Sequence, residues 1–149
     1  MGMFDALHVS ATGLSAERTR MDVVANNLAN AQTTRGPDGQ PFRRQEVVLQ
    51  SESSSFASVL SSEVGAKART NGPPKGVRVV EVSEDPTPNR RVYDPGHPDA
   101  DDDGYISLPN VNPVTEMVDL IASSRSYEAN VNAMQTAKQM FSKTVDLLR

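Results

Sequence analysis

Apolar side chains recur along this chain at a helical period near each end and at a shorter, broken period between. From the start, Leu7, Leu14, Met21 and Leu28 stand seven residues apart, and Phe4, Ala11 and Ala25 fill the alternate seam. Such a heptad pattern predicts an amphipathic helix over about Phe4 to Ala31. Arg18 interrupts its second seam and Gly13 lowers its intrinsic helicity. Asn26, Asn27 and Asn30, then Thr33, Thr34, Gly36 and Pro37, mark the end, because these residues favour caps and turns over helix interiors.

The far end of the chain repeats the pattern. Leu120, Tyr127, Met134, Phe141 and Leu148 are spaced by seven, while Met117, Val131 and Val145 form a second seam broken by Ser124 and Lys138. Asn112 is a good N-cap, Pro113 suits the first helical position, and Glu116 and Asp119 favour the positive end of the helix dipole. A helix from Pro113 to Leu148 would be about 50 Å long, more than a small closed domain needs.

Between the helices, short apolar runs punctuated by Pro and Gly read as strands over Phe42 to Leu49, Val77 to Val82, Arg91 to Tyr93 and Tyr105 to Leu108. Residues 51–62 are rich in Ser, and Asn71-Gly72-Pro73-Pro74 follows, so a flexible loop is predicted near 51–75. The expected fold is mainly α with a small β insertion, its long terminal helices pairing as a coiled coil around short antiparallel strands. Three segments result: 1–36, the N-terminal helix and Asn-rich turn; 37–111, the β-rich middle; and 112–149, the C-terminal helix.

Composition changes this picture in two ways. With 37% hydrophobic residues, 5% aromatics and no Trp in 149 residues, one domain with a thin core is expected. Two amphipathic helices then offer a seam but no enclosed centre, which favours burial against other molecules. The rows that start at Leu7 and at Leu120, together with Val131, are accordingly the predicted assembly interface. A net charge of -4 without a basic stripe argues against nucleic acid as a partner. The lack of cysteine removes disulfides, thiolate metal sites and Cys nucleophiles. Asp5 stands where a cleavable signal would carry lysines, and no eighteen-residue apolar run predicts a membrane span.

Two local patterns could carry chemistry. Asp99, Asp101 and Asp103 occupy positions one, three and five of a calcium-type loop, with Gly104 and Ile106 following at six and eight. The closing position falls on Asn110 where a bidentate Glu is needed, and Pro95, Pro98 and Pro109 deny the loop its flanking helices. A solvated acidic turn is favoured; a calcium-responsive coiled-coil adaptor using residues 99–110 is the alternative. His97 lies near Asp94 in sequence and could orient a water as a hydrolase base, but an exposed turn histidine is the better reading. No catalytic site, cofactor or small-molecule substrate is expected.

The run Ala25-Asn26-Asn27-Leu28-Ala29-Asn30-Ala31 resembles a signature of the flagellar rod and hook axial protein family. The segments Ser124-Arg125-Ser126-Tyr127-Glu128-Ala129-Asn130 and Ala137-Lys138-Gln139-Met140 resemble its matching terminal helix. The run Val92 to Ala100, Gly104-Tyr105, residues Leu108 to Asn112, and Gly39 to Arg43 resemble the proximal-rod branch of that family. The resemblance implies a structural subunit of the bacterial flagellar basal body, polymerising helically into a torque-transmitting drive shaft across the periplasm. It further implies export by the flagellar type III apparatus without signal cleavage. The implied partners are copies of itself, other rod proteins and basal-body ring components, with Asn27 and Asn30 shaping the turn that leaves the first helix.

Overall fold

A computed structural model describes residues 3–36, 39–52 and 76–147. Residues 53–75 of the predicted loop, and Leu148 of the predicted interface, lie outside them. The described elements are α1 (Met3–Ala29), β1 (Gln45–Ser51), β2 (Val77–Glu84), β3 (Arg90–Tyr93), β4 (Tyr105–Leu108) and α2 (Pro113–Leu147). The chain is mainly helical with a small β insertion of two two-stranded sheets, β1–β2 and β3–β4.

The ends of these elements have local causes. The backbone N–H of Ala31 reaches Leu28 O and that of Thr33 reaches Asn30 O, so tightened i to i−3 turns close α1 two residues before the predicted end. Asn112 caps α2 as its sequence position suggests: its Oδ1 accepts from Val114 N at 3.0 Å and its carbonyl accepts from Glu116 N at 3.0 Å. β1 begins at Gln45 and not at Phe42, because the N–H of Arg44 is taken by Asn110 Oδ1 at 2.8 Å.

Backbone proximity divides the chain into two compact units. One comprises residues 1–18, 49–80 and 125–149; the other comprises 19–48 and 81–124. In the first, Ala16 and Ala137 are the buried apolar side chains among the described residues. Gly13, which weakens α1 by propensity, here makes room: a Cβ at that position would come within 3.1 Å of Asn130 Nδ2 on α2. Gly76 precedes β2 at a φ of 105°, a left-handed conformation that side chains disfavour. A Cβ there would also strike the Thr12 hydroxyl, which donates to Val9 O at 2.8 Å and accepts from Val77 N at 3.2 Å. Gly76→Ala is therefore expected to cost about 2 kcal/mol in a urea melt, with Gly13→Ala milder because Asn130 can swing aside.

In the second unit α1 and α2 run in opposite directions. Asn27 meets Glu116, while Arg20, earlier on α1, shares a cavity with Ser123, later on α2. The β3–β4 hairpin is antiparallel, with Val92 opposite Ile106 and Tyr93 opposite Tyr105. The two tyrosine rings meet edge-on at 5.2 Å, and Arg91 lies over the Tyr105 ring at 5.0 Å. Val24 and Ile106 are buried, but the largest fully buried side chains among the described residues are Glu116 and Asn27. A thin apolar core thus surrounds a polar junction. No helix among the described residues is long and apolar enough to cross a membrane.

Candidate functional site

The junction is built from α1, the start of β1 and the first turn of α2. Asn27 comes from the last turns of α1, where the Asn-rich stretch still has helical backbone and can turn a polar side chain inward. Its amide pairs with the backbone of Gln45 at two points: Oδ1 accepts from Gln45 N at 2.9 Å and Nδ2 donates to Gln45 O at 2.8 Å. Nδ2 also donates to Glu116 Oε2 at 3.0 Å. Two acceptors face the nitrogen and one donor faces the oxygen, so the amide has only one satisfied orientation.

Glu116 reaches the same point because Asn112 caps α2 and aims its first turn at β1. Its other oxygen, Oε1, accepts from Arg44 Nε at 2.6 Å. The guanidinium of Arg44 also pairs with Glu46, lies 3.7 Å from Asp85 and lies 3.8 Å from Asp119. Burial disfavours the Arg44 charge, but the hydrogen bond and charge of Glu116, followed by those of Glu46, outweigh this and hold the group above its ordinary pKa. Asp85 is held below the usual carboxylate range, first by hydrogen bonds from Thr87 and then by Arg44. The contribution of Asp85 to stability is thus present above its unfolded pKa and is lost as pH falls through the depressed folded value.

The backbone of Arg44 is held as firmly as its side chain. Its carbonyl accepts from Asp85 N at 2.8 Å, and Asn110, which receives its N–H, donates in turn to Thr87 O at 3.1 Å. Arg44 therefore ties α2 to both ends of the β insertion within this unit, and the next residue, Gln45, adds α1 through Asn27. A cavity of about 260 Å³ opens beside it, walled by Val23, Val24, Val47 and Ala122 with Arg44 and Asp119. The polar groups there are engaged with one another, which suits rigidity more than turnover.

The residues singled out for chemistry have other partners. Asp99 accepts from the Thr34 hydroxyl at 2.8 Å and lies 3.8 Å from Arg35, while Asp101 pairs with Arg91 at 3.0 Å. Asp103 is exposed, and among the described residues no three acidic, His or Cys side chains gather as metal ligands. His97 Nδ1 accepts from Asp99 N at 3.1 Å, and Asp94 Oδ1 accepts from Gly96 N at 3.2 Å. Both thus serve local turns, and no His97–Asp94 dyad forms.

The two asparagines of the turn motif separate. Asn30 stays at the turn, donating to the Asn26 carbonyl and side chain at 2.9 and 2.8 Å and accepting from the Thr33 hydroxyl at 3.2 Å. Asn27 belongs to the buried junction. Of the predicted interface, Leu7, Leu14, Met21, Leu28, Leu120, Tyr127, Val131 and Met134 are half-buried and Phe141 is exposed. Arg44 went unremarked in the sequence, and Glu116 was marked only as a dipole partner. A lone Arg before a strand and a Glu in a first turn are common, and no sequence spacing links them.

Family models match both terminal regions: "Flagella basal body rod protein" over residues 7–37 and "Flagellar basal body rod FlgEFG protein C-terminal" over residues 102–147. Curated relatives match the whole length. The chain is 46% identical to the flagellar basal-body rod protein FlgC of Bacillus subtilis, with 99% of each chain covered. It is 41% identical to that of Borreliella burgdorferi, over 100% of this chain and 99% of the relative. For Salmonella typhimurium the identity is 39%, over 99% and 98%. Full-length similarity at this level, carried by both terminal helices and by the insertion that supplies Arg44, means that the chain belongs to the FlgC family of flagellar basal-body rod proteins.

Proposed function

We propose that this protein is a structural subunit of the proximal rod of the bacterial flagellar basal body, with no catalytic role. The observation that carries the reading is the match to rod proteins named FlgC over essentially the whole of both chains. The physics agrees with it: the described heptad rows are only half-covered or exposed, and what is most deeply buried is a network suited to holding shape. In this reading α1 and α2 pair as a coiled coil, and their ridges complete their burial against copies of the chain and other rod subunits. Torque then passes through coaxial helices, which Arg44, Asn27 and Glu116 join to the start of β1.

Export through the flagellar type III apparatus without signal cleavage, and passage of the assembled rod across the periplasm past the basal-body rings, complete the proposal. A chain without cysteines and with a thin core can be carried unfolded and regain order by burial at a growing tip. The test is isolation of basal bodies: they should contain this chain and lose the rod when residues after Asn112 are deleted. Intact rods without it would overturn the assignment. A sharper variant is Met134→Asp, which puts a charge on a half-buried ridge and is expected to abolish incorporation while export continues. Normal motility of that strain would count against the ridge as an interface.

A further inference from the structure

The start of α2 carries an exposed apolar stripe opposite the side that the described residues cover. Glu116 and Ser123 are buried on the side that faces α1 and β1. Val114, Met117, Val118 and Ile121 follow the i, i+3, i+4, i+7 spacing of a single helix stripe, which a turn of about 100° per residue places roughly opposite Glu116. They are exposed at 70%, 53%, 60% and 52%. The predicted heptad rows do not account for this stripe: Leu120 is half-buried elsewhere, and Met117 alone belongs to a seam read from the sequence. A contiguous exposed apolar stripe of this kind marks a surface that another molecule covers.

The same unit offers a complementary surface. On α1, Asp22, Ala25 and Ala29 are exposed on the side away from the buried Val24 and Asn27. Two alanines four residues apart form a shallow groove that receives branched side chains at close helix spacing. Charge completes the match. Arg125 continues the α2 stripe one turn on, Asp22 stands one turn before Ala25, and in an antiparallel crossing both lie towards the same end.

We propose that the Val114–Met117–Val118–Ile121 stripe docks on the Ala25–Ala29 face of α1 in a second copy of this chain. The proposal rests on the assembly reading above and names the copy-to-copy contact within it. Each copy carries one stripe and one groove, so the contact is heterologous and leaves a free stripe at one end and a free groove at the other. Repetition then yields an open chain of subunits and not a closed dimer. The four stripe residues expose roughly 400 Å², about half of what each side of a lasting two-body interface buries. The contact therefore holds only alongside the other contacts of an assembly.

The absence of native cysteine makes this directly testable. Val118→Cys and Ala25→Cys chains are co-expressed, assembled basal bodies are isolated, and these are oxidised with copper–phenanthroline. Disulfide-linked dimers are expected from the mixture and from neither variant alone. Dimers from Val118→Cys alone would indicate stripe packing on stripe and overturn the proposal, as would normal assembly without linkage in the mixture. In parallel, Val118→Asp should leave the helix signal and melting temperature of the purified chain unchanged while lowering incorporation at least tenfold. Incorporation at the parent level would also overturn it. If the parent chain itself is missing from basal bodies, the assembly reading fails first, and the two failures are told apart.

Discussion

Asn27→Asp is expected to destabilise the folded chain by about 4 kcal/mol, measured by urea unfolding of the purified protein at neutral pH. The substitution exchanges an amide NH₂ for an oxygen and changes almost nothing in shape. It removes both Nδ2 donations, to Gln45 O and to Glu116 Oε2, and sets a second carboxylate 3.0 Å from the first. Asn27 and Glu116 are both 0% exposed, so water cannot take over. Against a total stability of roughly 5–15 kcal/mol, a loss of this size removes between about a quarter and four-fifths of it. Stability within about 1 kcal/mol of the parent would mean that Asn27 does not make the contacts described, because surface substitutions fall in that range.

Arg44→Ala is expected to cost about 3 kcal/mol, seen as a fall of about 10 °C in melting temperature. The loss comes chiefly from stranding Glu116, which keeps only its hydrogen bond from Asn27 once Arg44 Nε is gone. The figure is set at the low end of the range for a broken buried pair because the guanidinium keeps some contact with solvent, its side chain being 20% exposed. Removing both charges distinguishes this cause from lost packing. Arg44→Met combined with Glu116→Leu should recover at least half of the stability, since Asn27 Nδ2 retains Gln45 O as an acceptor. A double variant as unstable as Arg44→Ala would place the effect in the methylene stem of Arg44 and not in its charge.

Both variants bear on the proposed function through the joint between α2 and the start of β1 within this unit. The proposed torque-transmitting role requires that this joint not be soft. Within this unit Arg44 links α2, the start of β1 and the segment through Asp85, and its neighbour Gln45 ties α1 into the same network. Among the described residues the largest fully buried side chains, Glu116 and Asn27, both belong to this joint.

Much of this could be read from residues near one another in sequence. The heptad rows, the Asn112 cap and the Pro- and Gly-bounded runs located both helices and all four described strands to within a few residues, because each signal acts over one or two turns of chain. The Asn-rich stretch was legible as the close of α1. Its two asparagines, however, carry the same local preference, and only their different directions separate Asn30 at the turn from Asn27 in the junction. The acidic run at 99–103 read as a solvated turn, with a ligand loop as the alternative, since spacing alone cannot reveal that Thr34 and Arg91 lie within reach of its carboxylates.

From its sequence alone this chain was determined to be mainly helical, with a long helix towards each end flanking a small β insertion. Tertiary structure alone decided which sides of those helices are buried among the described residues, that Arg44 and Glu116 meet across 72 residues of chain, and that the start of α2 keeps an exposed apolar side. The reason is physical. Periodicity and capping act over a few residues, whereas burial and ion pairing depend on what folding brings close, and no local pattern records which distant residue will arrive.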